Sequence, residues 1–213
     1  MLNSVGGIAD TRQRRRLSAQ DRRRQLLGIG LSKIVETPIQ DLSMDEVAAE
    51  AGISRSLLFH YFPTKTDFYL ACIAAAGRRM LRNVAPPDDV QGRDRVAAMV
   101  TAMIEQVDRR RDFYLAFVHG QGALAGASGH GVVEVYDSVR SVVTERVVEA
   151  LELDPVRAPV VRAWWAYVED RALTWSGEPA AVREVPADAL SGECVAALAA
   201  LLQVAGARVS ERP

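Results

Sequence analysis

The chain has 213 residues, 49% hydrophobic and 25% charged, which suits one or two folded domains around a substantial core. No run of roughly 18 uncharged apolar residues occurs, and the arginine-bearing N-terminus lacks the apolar stretch of a signal peptide; the composition therefore points to a cytoplasmic protein without membrane span or leader. The net charge of −1 hides an asymmetry: through Lys33 eight of the 26 basic residues stand against two of the 27 acidic ones, leaving 18 basic against 25 acidic in the rest. Positive charge is thus placed locally, and an overall basic pI is no test for nucleic-acid binding here.

Residues 1–17 are polar and lack a helical apolar stripe, so they read as a flexible basic arm. Arg12, Arg14, Arg15 and Arg16 have two readings: a solvated tail, or contacts to phosphates and a neighbouring minor groove. Ser18 followed by Asp21 signals a helix start, and Leu26, Leu27, Leu31, Ile34 and Val35 mark one face of that first helix. Gly28 and Gly30 weaken it by about 1 kcal/mol each relative to alanine, although Gly30 also permits close helix packing. Pro38 ends it.

The stretch Ser43–Lys65 carries the functional signal. Ser43 caps a helix and Glu46 stands where its carboxylate can reach back, as in a capping box. Met44, Val47, Ala48 and Ala51 face inward, and Gly52 supplies the positive φ of a helix end. Ile53 plugs the corner, Ser54 caps a second helix, and Leu58 with the Tyr61 ring lies on its inner face. This is a helix-turn-helix arrangement, whose second helix enters the major groove of DNA.

The run Leu57-Leu58-Phe59-His60-Tyr61-Phe62-Pro63-Thr64-Lys65 closely resembles the end of the DNA-binding domain of the tetracycline-repressor-like (TetR) family of transcriptional regulators. Val47, Ala48, Ala51, Gly52, Ile53, Ser54, Leu58, Tyr61, Phe62, Thr64 and Lys65 match that family's pattern. Leu57 stands where the family commonly has Thr or Ser, and Phe59 where it commonly has a phosphate-bonding Tyr, so an operator sequence does not carry over. The resemblance is specific over the first third of the chain. It implies an all-α protein of about nine helices, with a three-helix DNA-binding domain (18–63), a linking helix (64–85) and a C-terminal ligand-binding and dimerisation domain (90–213). It also implies a homodimer formed through the last two long helices.

Thr64 with Asp67 caps the linking helix, in which Phe68, Ile73, Gly77, Met80 and Leu81 recur on one side; Ala85 to Asp89 then marks a boundary. Val96, Val100, Met103 and Val107 form the stripe of the next helix. Residues 120–131 are rich in Gly, Ala and Ser, too permissive for a helix throughout and a candidate gate. From Val132 to Leu151 valines occupy much of the circumference, with Tyr136, Val139, Val143 and Val147 in line, so this helix should be largely enclosed. A helix beginning near Pro155 runs to about Trp175, stopped by Gly177 and Pro179. A last one from about Ala187 to Ala207 carries Leu190, Cys194, Leu198, Leu201, Leu202 and Ala205 at core spacing.

The candidate DNA contacts are Arg55, Ser56, Leu57, Phe59 and His60 on the outer face of the second helix, with Ser43, Ser54, Tyr61 and Lys65 beside them and Arg14, Arg15 and Arg16 on the arm. Arg55 suits guanine or phosphate, Leu57 a thymine methyl, and Lys65 a phosphate; Tyr61 is open between core ring and phosphate donor. Phe113, Tyr114, Phe117, Trp164, Trp165, Tyr167 and Trp175 either pack a core or line an apolar cavity with Glu169, Asp170 or His119 as polar fixers, for an apolar or amphipathic small-molecule effector of unknown identity. Cys72 and Cys194 read as buried free thiols. With three histidines and no closely spaced Cys or carboxylate partners, neither a metal nor a cofactor is expected. No nucleophile–base pair or phosphate loop supports catalysis. The expected activity is that of a dimeric repressor on a palindromic double-stranded DNA operator, released by ligand. A ligand-independent architectural DNA-binding protein is the alternative, and an enzyme on a helical scaffold the third reading.

Overall fold

In a computed structural model of the protein the described residues are 17–37, 41–112, 114–115 and 127–210. Among them are eight α-helices, no strand, and short 3-10 turns at Pro155–Arg157 and Ala180–Val182. The helices are α1 (Ala19–Glu36), α2 (Met44–Glu50), α3 (Arg55–Tyr61), α4 (Lys65–Asn83), α5 (Gly92–Arg109), α6 (Ala127–Ala150), α7 (Ala158–Ser176) and α8 (Ala187–Ser210). The basic arm, Pro38, Phe113, Phe117, His119 and residues 120–126 of the candidate gate lie outside the described residues.

Hydroxyl caps start the first four helices. Ser18, Ser43, Ser54 and Thr64 each accept a hydrogen bond from the amide three residues on, at 3.1, 3.2, 3.2 and 3.0 Å, satisfying donors that the helix itself leaves unpaired. The capping box expected at Ser43 forms only by half: the Glu46 carboxylate turns to Lys33 Nζ, 3.5 Å away, on α1. The complete box is at Thr64, whose N–H donates back to the Asp67 carboxylate at 3.0 Å.

Two apolar clusters organise the helices. One joins Leu26, Leu27 and Ile34 of α1, Val47 and Ala48 of α2, Leu58 of α3, and Phe68, Cys72 and Ile73 of α4. The other joins Met80 at the end of α4 with the inner faces of α5, α6, α7 and α8. Helix α4 therefore belongs to both. So does α6: Val132, Val135 and Tyr136 pack on the first cluster, and Val139, Val143 and Val147 on the second. Gly77 makes the α4–α6 crossing possible, because a Cβ there would stand 2.7 Å from Val139 Cγ2.

Three features depart from the sequence expectation. The turn after α4 is seated inside the second cluster, with Val84 and Pro86 buried, so Ala85–Asp89 joins helices that share one core. Helix α6 is covered on one side only; Val133 is exposed and the buried valines form a single stripe, since valine on every face does not supply a neighbour for every face. In α8 the stripe is buried at Leu190, Cys194 and Leu198 but opens to solvent at Leu201 (43% exposed) and Val204 (57%). Over Ala187–Gly206 this helix is long and apolar enough to cross a membrane by length and composition, with 28% of the stretch buried.

Candidate functional site

Helices α2 and α3 and the turn between them build the first candidate site. Gly52 takes φ +66°, the left-handed conformation that costs a side-chain-bearing residue most, and nothing lies within 4 Å of where its Cβ would be. The turn closes with the Ile53 amide donating to Ala48 O at 3.0 Å. Leu58 and Phe62 are buried beneath α3, and Phe62 packs edge-on to Phe68 of α4 with centroids 5.0 Å apart. The inner face is thus anchored, which leaves the outer face free to be read against.

On that outer face Arg55, Ser56, Leu57 and His60 are exposed, and Phe59 and Tyr61 are half-buried against the small core. Leu57 is 39% exposed, an apolar side chain facing solvent at the centre of a polar surface. Ser54, besides capping α3, shares a hydrogen bond with Ser56 at 3.0 Å. Ser43 is half-buried at the start of α2, and Lys65 stands half-buried in the first turn of α4. The predicted DNA contacts of the described chain thus lie on α3, at its cap and at the starts of α2 and α4.

Several of its partners were not legible beforehand. The Arg55 guanidinium pairs with Asp45 at the start of α2 and lies over the Phe59 ring, 5.3 Å from its centroid. Arg22 of α1 donates to Ala51 O at 3.0 Å and Arg23 to Tyr61 O at 3.3 Å, so two cations sit at the negative ends of α2 and α3. Arg23 also lies over the Phe62 ring at 4.4 Å. The signal available in sequence was an arginine run on a helix beside two short helices. It could not say which carbonyls the arginines would meet.

The predicted effector residues scatter. Trp164 and Trp165 are enclosed in the second core, and Trp164 donates to Cys194 O on α8 at 2.7 Å. Tyr167 donates to Glu193 at 2.6 Å beside Arg171, which makes a strut between α7 and α8. Trp175 donates to Val185 O at 2.7 Å and carries the Arg183 guanidinium over its ring at 4.1 Å. Asp170 is exposed. Glu169 (3% exposed) accepts from Tyr136 at 2.6 Å and from Arg140 Nε at 3.0 Å, a buried ion pair between α6 and α7. Burial works most strongly against the Arg140 charge, but the Glu169 hydrogen bond, the Glu169 charge and the neighbouring Tyr136 and Tyr114 phenols together outweigh it and hold its pKa up. Burial first, then the Glu169 charge, push the phenols of Tyr114 and Tyr136 upward, so both stay protonated.

Tyr114 is the one predicted effector residue, among those described, that lines a cavity bounded by α1 and α4. This space of about 490 Å³ lies between α1, α4, α5 and the segment after α5. Its volume is in the range of small-molecule sites, about 300–1,000 Å³. Among the described residues no group of three His, Cys, Asp or Glu side chains is placed to hold a metal ion.

Comparison with known proteins fits this geometry. Residues 33–72, which span α2, α3 and the start of α4, match the family model of the bacterial regulatory proteins of the tetR family. The HTH-type transcriptional activator FasR of Mycolicibacterium smegmatis is 29% identical over 105 residues, 48% of this chain and 48% of that protein, so the match spans about half the length of that curated relative. The crystal structure of a tetR-family transcriptional regulator from Streptomyces coelicolor superposes with a TM-score of 0.71 at 29% identity, covering 90% of this chain and 85% of that one. Bacillus subtilis FadR, solved in complex with stearoyl-CoA, shares the fold at a TM-score of 0.55 and 13% identity, over 82% of this chain and 96% of that one.

Proposed function

This chain belongs to the tetR family of bacterial regulatory proteins, and on that premise we propose that it is a homodimeric repressor that leaves a palindromic DNA operator when a small apolar or amphipathic ligand binds. The observation that carries this reading is the outer face of α3, where Arg55, Ser56, Leu57 and His60 are presented to solvent while Leu58 and Phe62 anchor the helix from beneath. One such helix addresses only a few base pairs. Two related by a two-fold axis reach successive major grooves and match an inverted repeat about one helical turn apart.

The dimer surface is supported by α8, whose Ala196, Ala199, Ala200, Leu201 and Val204 are exposed. Small side chains there let helices approach closely, and an apolar face of this kind on a water-exposed helix calls for a partner. Working on chromosomal DNA, the protein acts in the cytoplasm. Release requires that ligand favour a packing in which the two α3 helices no longer fit their grooves together.

Selection of binding sites from random duplex, followed by footprinting, tests the proposal. Two protected half-sites about one turn apart are expected, with loss of protection in Arg55→Ala. Equal affinity for every duplex would instead support a ligand-independent architectural role. The likeness to FasR, named an activator, favours one second reading: the same dimer raises transcription from its site. A reporter placed downstream of the selected site decides the sign.

A further inference from the structure

The 490 Å³ cavity has an unusual wall: one side of it is α1, the helix on which the reader is packed. Gly28, Leu31, Ser32 and Val35 of α1 face across to α4 and α5, while on the opposite flank of α1 a Cβ at Gly30 would fall 2.5 Å from Cys72 Sγ and Phe68. The cavity is therefore a seam between the helix that supports the helix-turn-helix and the helices of the second core. Its chemistry is also lopsided. Arg79, Arg109, Arg110 and Arg111 line it, and a shallower depression beside it shares the first three together with Asn83. Of the two acidic residues lining it, Asp108 is taken up by Arg183 at 2.6 Å, which leaves Asp112. The buried Arg111 Nε, an N–H donor, has no hydrogen-bond partner among the described residues. A buried polar atom left unpaired costs on the order of 1–3 kcal/mol, so a group that pairs it is favoured to enter.

We propose that this seam binds an amphipathic anion, its acidic head held by Arg79 and Arg110 and its apolar body against Leu31, Val35 and Met80, and that occupation acts on DNA directly through α1. The proposal rests on the effector reading above and names its place, its ligand class and its route. Guanidinium groups recognise carboxylate and phosphate through charge-assisted hydrogen bonds, which discriminate an acid from the alcohol of equal length. Because α1 is fastened to α4 at Gly30, a ligand entering on the Gly28 side tilts α1, and with it the α2–α3 head, instead of acting through the distant core.

The test uses dodecanoate, dodecyl phosphate and dodecanol, with affinity read by calorimetric titration and operator binding by fluorescence anisotropy. Both acids are expected to bind at least tenfold more tightly than the alcohol. Arg79→Ala/Arg110→Ala should bring the acids down to the level of the alcohol while keeping wild-type operator affinity without ligand. Gly28→Leu, which fills the seam from a position with open space around it, should exclude all three. Acids no tighter than the alcohol, acids that bind the double variant as they bind wild type, or no binding at all would overturn the assignment. Acids that bind the seam in this pattern yet leave operator affinity unchanged would uphold the site and refute its role as effector.

Discussion

Asp45 and Arg55 show how a single pair can set the behaviour of a reading surface. Free in solution, the guanidinium is held by a carboxylate on the neighbouring helix and stacked over Phe59. Both partners are more than half exposed, so the pair contributes little to stability; in the proposed DNA complex its effect is on where the arginine points and on how strongly phosphates attract it. Asp45→Asn is expected to raise affinity for random duplex several-fold and to lower the ratio of operator to random binding. Arg55→Ala should cost about 1–3 kcal/mol at one base-pair position and flatten preference there. Anisotropy against an operator and its single-base variants reads both. The thiols give a second outcome. Burial pushes Cys72 up to about 12 and Cys194 to about 11, from an ordinary 9.0. Neither should react with a disulfide reagent in the native protein at pH 8. Below pH 9 both states keep the Cys72 proton; above it the unfolded chain loses its proton first, so stability falls as pH rises toward 12. Urea denaturation of wild type against Cys72→Ala should show that difference opening above pH 9 and closing below it.

Helix α1 carries two glycines two residues apart that do opposite things. At Gly28 a Cβ would meet nothing within 4 Å, so the residue only loosens the helix, and Gly28→Ala should stabilise by about 1 kcal/mol. At Gly30 the same methyl group would run into Cys72 and Phe68, and Gly30→Ala should destabilise by about 1–3 kcal/mol through overpacking despite its better helix propensity. Opposite shifts in thermal midpoint, measured on the two single variants, are the expected outcome; a gain from both would mean that α1 and α4 do not approach as closely as described. The sequence alone assigned each glycine the same helix cost and allowed Gly30 a close approach, without the partner it meets. Propensity is local to a helix, whereas the sign of the substitution depends on what lies across from it.

The proposed dimerisation and ligand release belong to the scale of the whole molecule. Leu201→Glu/Val204→Glu alters only exposed positions of α8, so the variant should keep its helical signal and thermal unfolding, sediment as a monomer, and bind operator at least a hundredfold more weakly. A monomer with full operator affinity would detach DNA binding from the pairing of subunits. The two clusters are tied by α4 and by α6 together, and Arg146 of α6 donates to Leu81 O at the end of α4 at 2.8 Å. The second core is therefore joined to the helix-turn-helix through two helices, and α1 faces it across the cavity as a third surface.

The caps at Ser18, Ser43, Ser54 and Thr64, the turn at Gly52 and the inward Leu58 were legible in the chain because each obeys a rule acting within about four residues. The same holds for the helical class and for the family likeness carried by the 43–65 stretch. What joins residues far apart was not legible: Arg22 with Ala51, Arg140 with Glu169, Gly30 with Cys72, and the cavity that α1 shares with α4 and α5. Leu198 and Leu201 differ in the same way, one covered and the other open, although both were placed at core spacing along α8. Periodicity tells which side of a helix is apolar. Which surface covers it, and which polar atoms are thereby left facing a cavity, is decided only when the helices pack, because burial is a property of two surfaces and a sequence segment supplies one.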